Sequence, residues 1–225
     1  MLESNVLANH ADKQPTKERI LDAAEGLFAE RGFDATSLRL ITAAAGVNLA
    51  AVNYHFHSKD DLIRAVMSRR IAPLNQRRLE LLTEQLSAAR DGPPALEGVI
   101  RAFITPVVML RKDSRGADLG RLIGRTYVEP SGVGQRTFFD LMREIARPFT
   151  EAFRRALPGV PQAELLWKLH FAIGVVAHTL AGTGHLTTMA GGACDPSDAE
   201  GIIERMVAFI AAGMRAPIPA RTNRS

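Results

Sequence analysis

Apolar residues in this chain recur at helical spacing almost from end to end. Nowhere do they alternate as a half-buried strand requires. That pattern restricts the chain to an all-α fold, and breakers divide it into segments. A first helix is predicted over 17–31, capped by Thr16, with Ile20, Leu21, Ala24, Leu27 and Phe28 on one face. Gly32 stands where a left-handed residue ends a helix. A second helix starts after Thr36-Ser37, carries Leu38, Ile41 and Ala45 inward, and ends at Gly46. Asn48 is an N-cap for a short third helix over 49–55. Ser58-Lys-Asp-Asp61 has the form of a capping box and opens a fourth.

Beyond that point the sequence is less regular. Pro73 is expected to kink or break the fourth helix, and Asp91-Gly-Pro-Pro94 ends it. Leu96, Val99, Ile100, Phe103, Ile104, Val107 and Val108 form a stripe with Pro106 as a kink. Residues 112–120 and 129–135 are rich in Gly, Ser, Asp or Pro and are expected to be loops. Phe138 to Phe153 marks a further helix, and the segment 162–181, apolar on most sides, is expected to be buried on more than one face. Ser197-Asp-Ala-Glu200 is a capping box for the last helix, which Gly213 ends.

Composition narrows the function classes. The 225 residues suffice for a core without disulfides or metal, and the single cysteine, Cys194, excludes a disulfide framework or a cysteine zinc site. No apolar run reaches membrane-spanning length and the first residues lack a signal-peptide pattern, so a cytoplasmic chain without membrane contact is expected. The net charge of +4 fits a nucleic-acid partner, but residues 1–70 carry nine cationic and nine acidic side chains. Geometry must therefore carry any argument for DNA binding there. His55 and His57, two apart, do not face one another, and His170, His178 and His185 lack neighbouring ligands, so no metal or cofactor is expected. There is no phosphate-cradling glycine loop, no Gly-x-Ser-x-Gly elbow and no paired carboxylates, so an enzyme is not expected either.

Residues 37–55 have the layout of a helix-turn-helix. The N-terminal part of the second helix would enter a major groove, where Ala50 permits close approach and Asn53 can pair with adenine. Leu49 or Ala50 suits a thymine methyl. Ser37, Tyr54 and Lys59 suit phosphates, and Arg39 either purpose. The same pattern also fits three small helices that merely pack on one another.

The run from Gly32 to Leu62, with Arg19–Phe28 before it, resembles the DNA-binding signature of TetR-family transcriptional repressors. The family's Thr-Thr stands at Thr36-Ser37, its Ala-Gly-Val-Ser at Ala45–Asn48, and its Tyr-x-x-Phe-x-x-Lys near Asn53–Lys59. Thr42 replaces the usual alanine, and Asn53 stands where many members have tyrosine, leaving Tyr54 the phosphate-clamping role. The resemblance implies a DNA interface of Thr36, Ser37, Arg39, Asn48, Leu49, Ala50, Asn53, Tyr54, His55 and Lys59. It also implies a homodimer on a near-palindromic duplex operator, paired through the last two long helices. The expected organisation is an arm over 1–15, a helix-turn-helix head over 16–60, a ligand-binding and dimerisation domain over 61–214, and a tail over 215–225. A looser similarity, in Leu165–Gly174 and the closing Ala-Ala-Gly-Met-Arg215, points to members responsive to fatty acids or acyl-CoA. A small-molecule effector would then lie between helices of the larger domain. Phe103, Val107, Leu122, Met142, Phe149, Trp167, Phe171 and Gly174 are candidate lining residues. Arg125 and His170 are candidate anchors, with His178 two turns beyond on nearly the same face. A helical dimer that binds small molecules or partners without DNA is the alternative reading.

Overall fold

The computed structural model describes residues 15–110, 114–128, 132–181 and 184–217. Among these it forms ten helices and no strand. The expected arm lies outside the described residues apart from Pro15, and so does the expected tail beyond residue 217.

Three short helices make the head. α1 (Thr16–Arg31) buries Ile20, Leu21, Ala24 and Phe28 and ends at Gly32, whose φ is 90°. α2 (Leu38–Ala45) is capped by Ser37, whose Oγ accepts from the Leu40 N–H at 3.3 Å. Its last carbonyls are closed by Gly46 in the left-handed conformation, φ 62°. Arg19 Nη2 donates to the carbonyls of Ala45 at 2.7 Å and Gly46 at 2.9 Å, so α1 grips the turn that follows α2. α3 (Leu49–Phe56) is capped by Asn48, whose Oδ1 accepts from the Ala51 N–H at 2.9 Å. Val52 and Phe56 point into the head.

α4 (Lys59–Ala89) begins at the Ser58 cap and runs unbroken past Pro73. The expected break does not occur because the proline ring lies on the solvent side. Ile71 and Leu74 on either side of it are buried, so packing holds the helix together. The missing N–H leaves the Arg69 carbonyl without its usual donor. α4 packs against α1 near its start, and against α5 (Leu96–Met109) and α7 (Val133–Ala156) further on. Pro106 likewise lies within a continuous α5.

The first expected loop is helical wherever it is described, and the second is helical in its last three residues. Residues 114–120 form the first half of α6 (Ser114–Val128), and 133–135 open α7. Gly120 serves packing: a Cβ there would lie 2.6 Å from the Leu180 carbonyl oxygen, so glycine lets α6 approach α8 (Gln162–Ala181) closely. Leu119, Leu122 and Ile123 supply the buried face. Gly134 does similar work at the start of α7, since a Cβ there would overlap the Phe33 ring.

The chain closes with α9 (Gly184–Met189) and α10 (Ala199–Arg215). Asp198, not Ser197, caps α10: its Oδ1 accepts from the Gly201 N–H at 2.8 Å, while Ser197 Oγ donates to Asp195. Arg215 is the last residue of α10 rather than tail, and its Nη2 donates to Glu97 at 2.9 Å. α8 is not buried on several faces. Leu165 and Val176 are buried, but Trp167 and Phe171 are 58% and 63% exposed.

Candidate nucleic-acid interface and ligand cavity

The head presents the start of α3 outward because its caps and inward residues fix the helix from behind. Leu49, Ala50, Asn53 and Tyr54 are exposed, Tyr54 at 79%. Neither the Asn53 amide nor the Tyr54 hydroxyl has a hydrogen-bond partner among the described residues. An amide offers a donor and an acceptor side by side, the geometry a base edge requires. His55 is half-buried with its ring edge-on to Tyr54 at 5.1 Å, so it supports the tyrosine.

Around this helix, Ser37 and Arg39 come from the start of α2 and Lys59 from the start of α4. The Ser37 hydroxyl accepts from the backbone and retains its own proton to donate. Lys59 Nζ donates to the Asp34 carbonyl at 3.3 Å, which holds the ammonium beside the α1–α2 turn. Asn48 is exposed, its carbonyl oxygen engaged in the cap. Thr36 departs from the expected interface. It is fully buried and its hydroxyl donates to the Gly32 carbonyl at 2.7 Å, so it closes the turn from inside. Asp61 is the acidic counterpart at this end. The Ser58 hydroxyl donates to it at 2.6 Å and holds its carboxyl below the ordinary value.

A charge cluster ties the head to the rest of the chain. Glu25 of α1 is buried and accepts from Arg69 Nη2 at 2.7 Å and Arg70 Nε at 2.6 Å, both on α4. Arg69 also pairs with Asp22 at 2.8 Å and Glu18 at 3.1 Å.

Behind it, between α4, α5, α7 and α8, lie two apolar cavities of about 400 and 290 Å³. They share Phe103, Met142, His170, Ile173 and Val176 along one wall. Of the expected lining residues, Phe103, Met142 and His170 border both, Val107 the larger and Phe149 the smaller. Leu122 is buried elsewhere, within the packing of α6. The Arg125 side chain lies outside the described residues. Trp167, Phe171, Gly174 and His178 are not in the cavity; they lie on the exposed side of α8. There the Trp167 and Phe171 rings stack at 5.9 Å, and Phe209 of the adjoining α10 is 69% exposed. Lys168 Nζ locks the two helices, donating to the carbonyls of Gly213 at 3.2 Å and Ala216 at 2.8 Å.

The residue that sequence reasoning missed is Arg78. It borders the larger cavity, is 5% exposed, and burial pushes its guanidinium down to about 10. A signal was present: Arg78 continues the inward row Ile71, Leu74, Arg78, Leu82, where a charge is unexpected.

Two family models match the chain. Residues 20–66 match bacterial regulatory proteins of the tetR family, and residues 101–213 match the tetracyclin repressor-like C-terminal domain. The chain is 38% identical over 56 residues to the transcriptional regulator UidR of Escherichia coli, covering 25% of this chain and 29% of that one. It is 31% identical over 106 residues to the transcriptional repressor BepR of Brucella suis, covering 47% of each. The matched stretch therefore spans less than half the length of either relative. The fold is similar to that of FadR from Bacillus subtilis in complex with stearoyl-CoA, with a TM-score of 0.65 and 13% identity over 87% of this chain and 98% of that one. With both models matched, one on the head and one over half of the chain, this protein belongs to the TetR family of bacterial regulatory proteins.

Proposed function

We propose that this chain is a sequence-specific transcriptional repressor that binds a near-palindromic duplex as a homodimer and is released by a small apolar effector. The observation that carries the reading is the outward face of α3, with the Asn53 amide and Tyr54 hydroxyl open on a capped helix-turn-helix. Residues 16–60 read DNA, with Ser37, Arg39, Tyr54 and Lys59 on phosphates and Leu49, Ala50 and Asn53 on base edges. Residues 61–214 bind the effector and pair with a second copy. The exposed rings of Trp167, Phe171 and Phe209 support pairing through α8 and α10, because a lone chain in water gains by covering them. Such a protein works in the cytoplasm, where its operator is.

α4 supports the coupling between sites. One helix carries Lys59 at the DNA face, Arg69 and Arg70 at the clamp on α1, and Leu74 and Arg78 at the cavity. An effector that binds the non-DNA arrangement more tightly shifts the population away from the operator by its differential affinity.

The test is titration into a duplex from upstream of the chain's own gene, against a scrambled duplex at about 150 mM salt. Specific binding by several kcal/mol supports the reading. Tyr54→Phe and Lys59→Ala should weaken both duplexes evenly, whereas Asn53→Ala should narrow the gap between them. Equal loss on both duplexes for Asn53→Ala refutes its base-reading role. Failure to select any sequence from a random pool refutes the DNA-binding reading.

A further inference from the structure

Arg78 is a buried cation without an anion. Its Nε donates to the Phe103 carbonyl at 2.8 Å and its Nη1 to Asn75 Oδ1 at 3.0 Å. Its Cζ lies 4.7 Å from the centre of the Phe103 ring, and Met142 Sδ is 3.9 Å from Nη1. Asn75 is itself fixed, its Nδ2 donating to the Leu141 carbonyl at 2.8 Å, so its oxygen is aimed at the guanidinium. Every one of these partners is neutral, and no carboxylate pairs with Arg78 among the described residues.

A buried charge left unpaired is costly, and the cost is met either by a shifted equilibrium or by a partner that arrives from outside. The depressed guanidinium value has burial as its sole cause, with no compensating acid. Nη2 makes no hydrogen bond among the described residues, and Arg78 borders the cavity of about 400 Å³. The other walls there are apolar, formed by side chains such as Ile71, Leu74, Val107 and Phe138, and His170 is the single other titratable group on either lobe. With Nε and Nη1 engaged, the planar guanidinium is fixed and presents Nη2 pre-oriented, which suits an oxyanion.

Building on the effector reading above, we propose that the cavity takes an amphipathic ligand with one oxyanion head on an apolar body, the head seated on Arg78 and the body running along Phe103 and Met142. A free carboxylate is one source of such a head, and the phosphate of an alkyl phosphate is the other.

The experiment uses the full-length protein with decanoate, methyl decanoate, decan-1-ol and decyl phosphate as probes. Binding is followed by calorimetry and by displacement of a fluorescent apolar dye. The wild-type protein should bind decanoate at least tenfold more tightly than the ester and the alcohol. Arg78→Met should remove that preference, and Arg78→Lys should keep part of it. Preference for decyl phosphate over decanoate, lost in Arg78→Met, supports the oxyanion seat with a phosphate as the source.

A structural role alone would change stability without changing the ratio of acid to ester. Equal wild-type binding of acid, ester and alcohol therefore overturns the proposal even if Arg78→Met does not fold. Binding of none of the probes overturns it too, as does an acid preference that survives in Arg78→Met. Measuring operator release in parallel separates this proposal from the reading beneath it. Release by decanol alone defeats the Arg78 seat and keeps an effector-controlled repressor. Acid-selective binding with no effect on any DNA keeps the seat and defeats the repressor.

Discussion

Replacing Glu25 with alanine should test how firmly the head is fixed to the long helix. Glu25 is 5% exposed and its two oxygens each accept one short charge-assisted bond, from Arg69 and Arg70. Removing one member of a fully buried pair costs roughly 3–5 kcal/mol. Two features lower that figure. The arginine side chains are 23% and 19% exposed, so water screens them once the acid is gone. Arg69 also keeps Asp22 and Glu18. The expected loss is therefore about 2–3 kcal/mol, or a fall of about 5–10 °C in Tm for a domain of this size. Thermal denaturation followed by circular dichroism reads the first quantity. A double-mutant cycle with Arg70→Ala reads the coupling, expected at about 1–2 kcal/mol. A Tm within about 1 °C of wild type, or strict additivity in the cycle, would show that the cluster is a solvated ornament rather than the joint between α1 and α4.

Other outcomes follow from single contacts. Gly134→Ala puts a methyl group into the buried Phe33 ring and should cost about 1–3 kcal/mol by overpacking; a urea midpoint equal to wild type would refute the close approach. Phe209→Asp, alone or with Phe171→Asp, should leave helical content intact and shift the protein to monomer in sedimentation, with operator binding lost; an unchanged dimer would move the interface elsewhere. The bond from Arg215 holds the Glu97 carboxyl below its ordinary value, and the bond from Arg101 does the same for Glu204. Their contribution is complete above the unfolded carboxylate value and is lost as pH falls through the depressed folded values, where the unfolded chain binds more protons. Urea midpoints between pH 6 and 3 should therefore fall less steeply in Arg101→Ala/Arg215→Ala than in wild type, and equal slopes would contradict both pairings.

The head was legible because its determinants are local. Ser37, Asn48 and Ser58 each cap the helix that the sequence placed after them, and Gly46 ends α2 by its own conformation. Thr36 shows the limit of that logic, since a residue can match a motif and still spend its hydroxyl inside the turn. In the larger domain the deciding contacts join residues far apart in sequence. Gly120 reads as a loop former until Leu180 is seen across from it. α8 is apolar around its circumference, so its sequence cannot say that Leu165 turns inward while Trp167 and Phe171 turn outward. Arg78 was overlooked for a related reason: a charge on an apolar row acquires meaning once the cavity beside it is known.

Pro73 gives α4 one point of mechanical compliance. Upstream, Arg69 and Arg70 bind the helix to the head; downstream, Asn75 and Arg78 bind it to α7 and α5. The hydrogen bond that would stiffen the segment between them is absent because proline has no N–H to give. Bending is therefore cheapest there. The fifteen-residue arm from Lys59 to Pro73 spans fourteen rises and is about 21 Å long. A flexure of roughly 10° at the proline would displace its tip by about 4 Å. In the twofold dimer proposed above, that displacement in each copy is comparable to the spacing between successive base pairs, so a ligand that strains α4 by a small angle would throw both reading heads out of phase with the duplex.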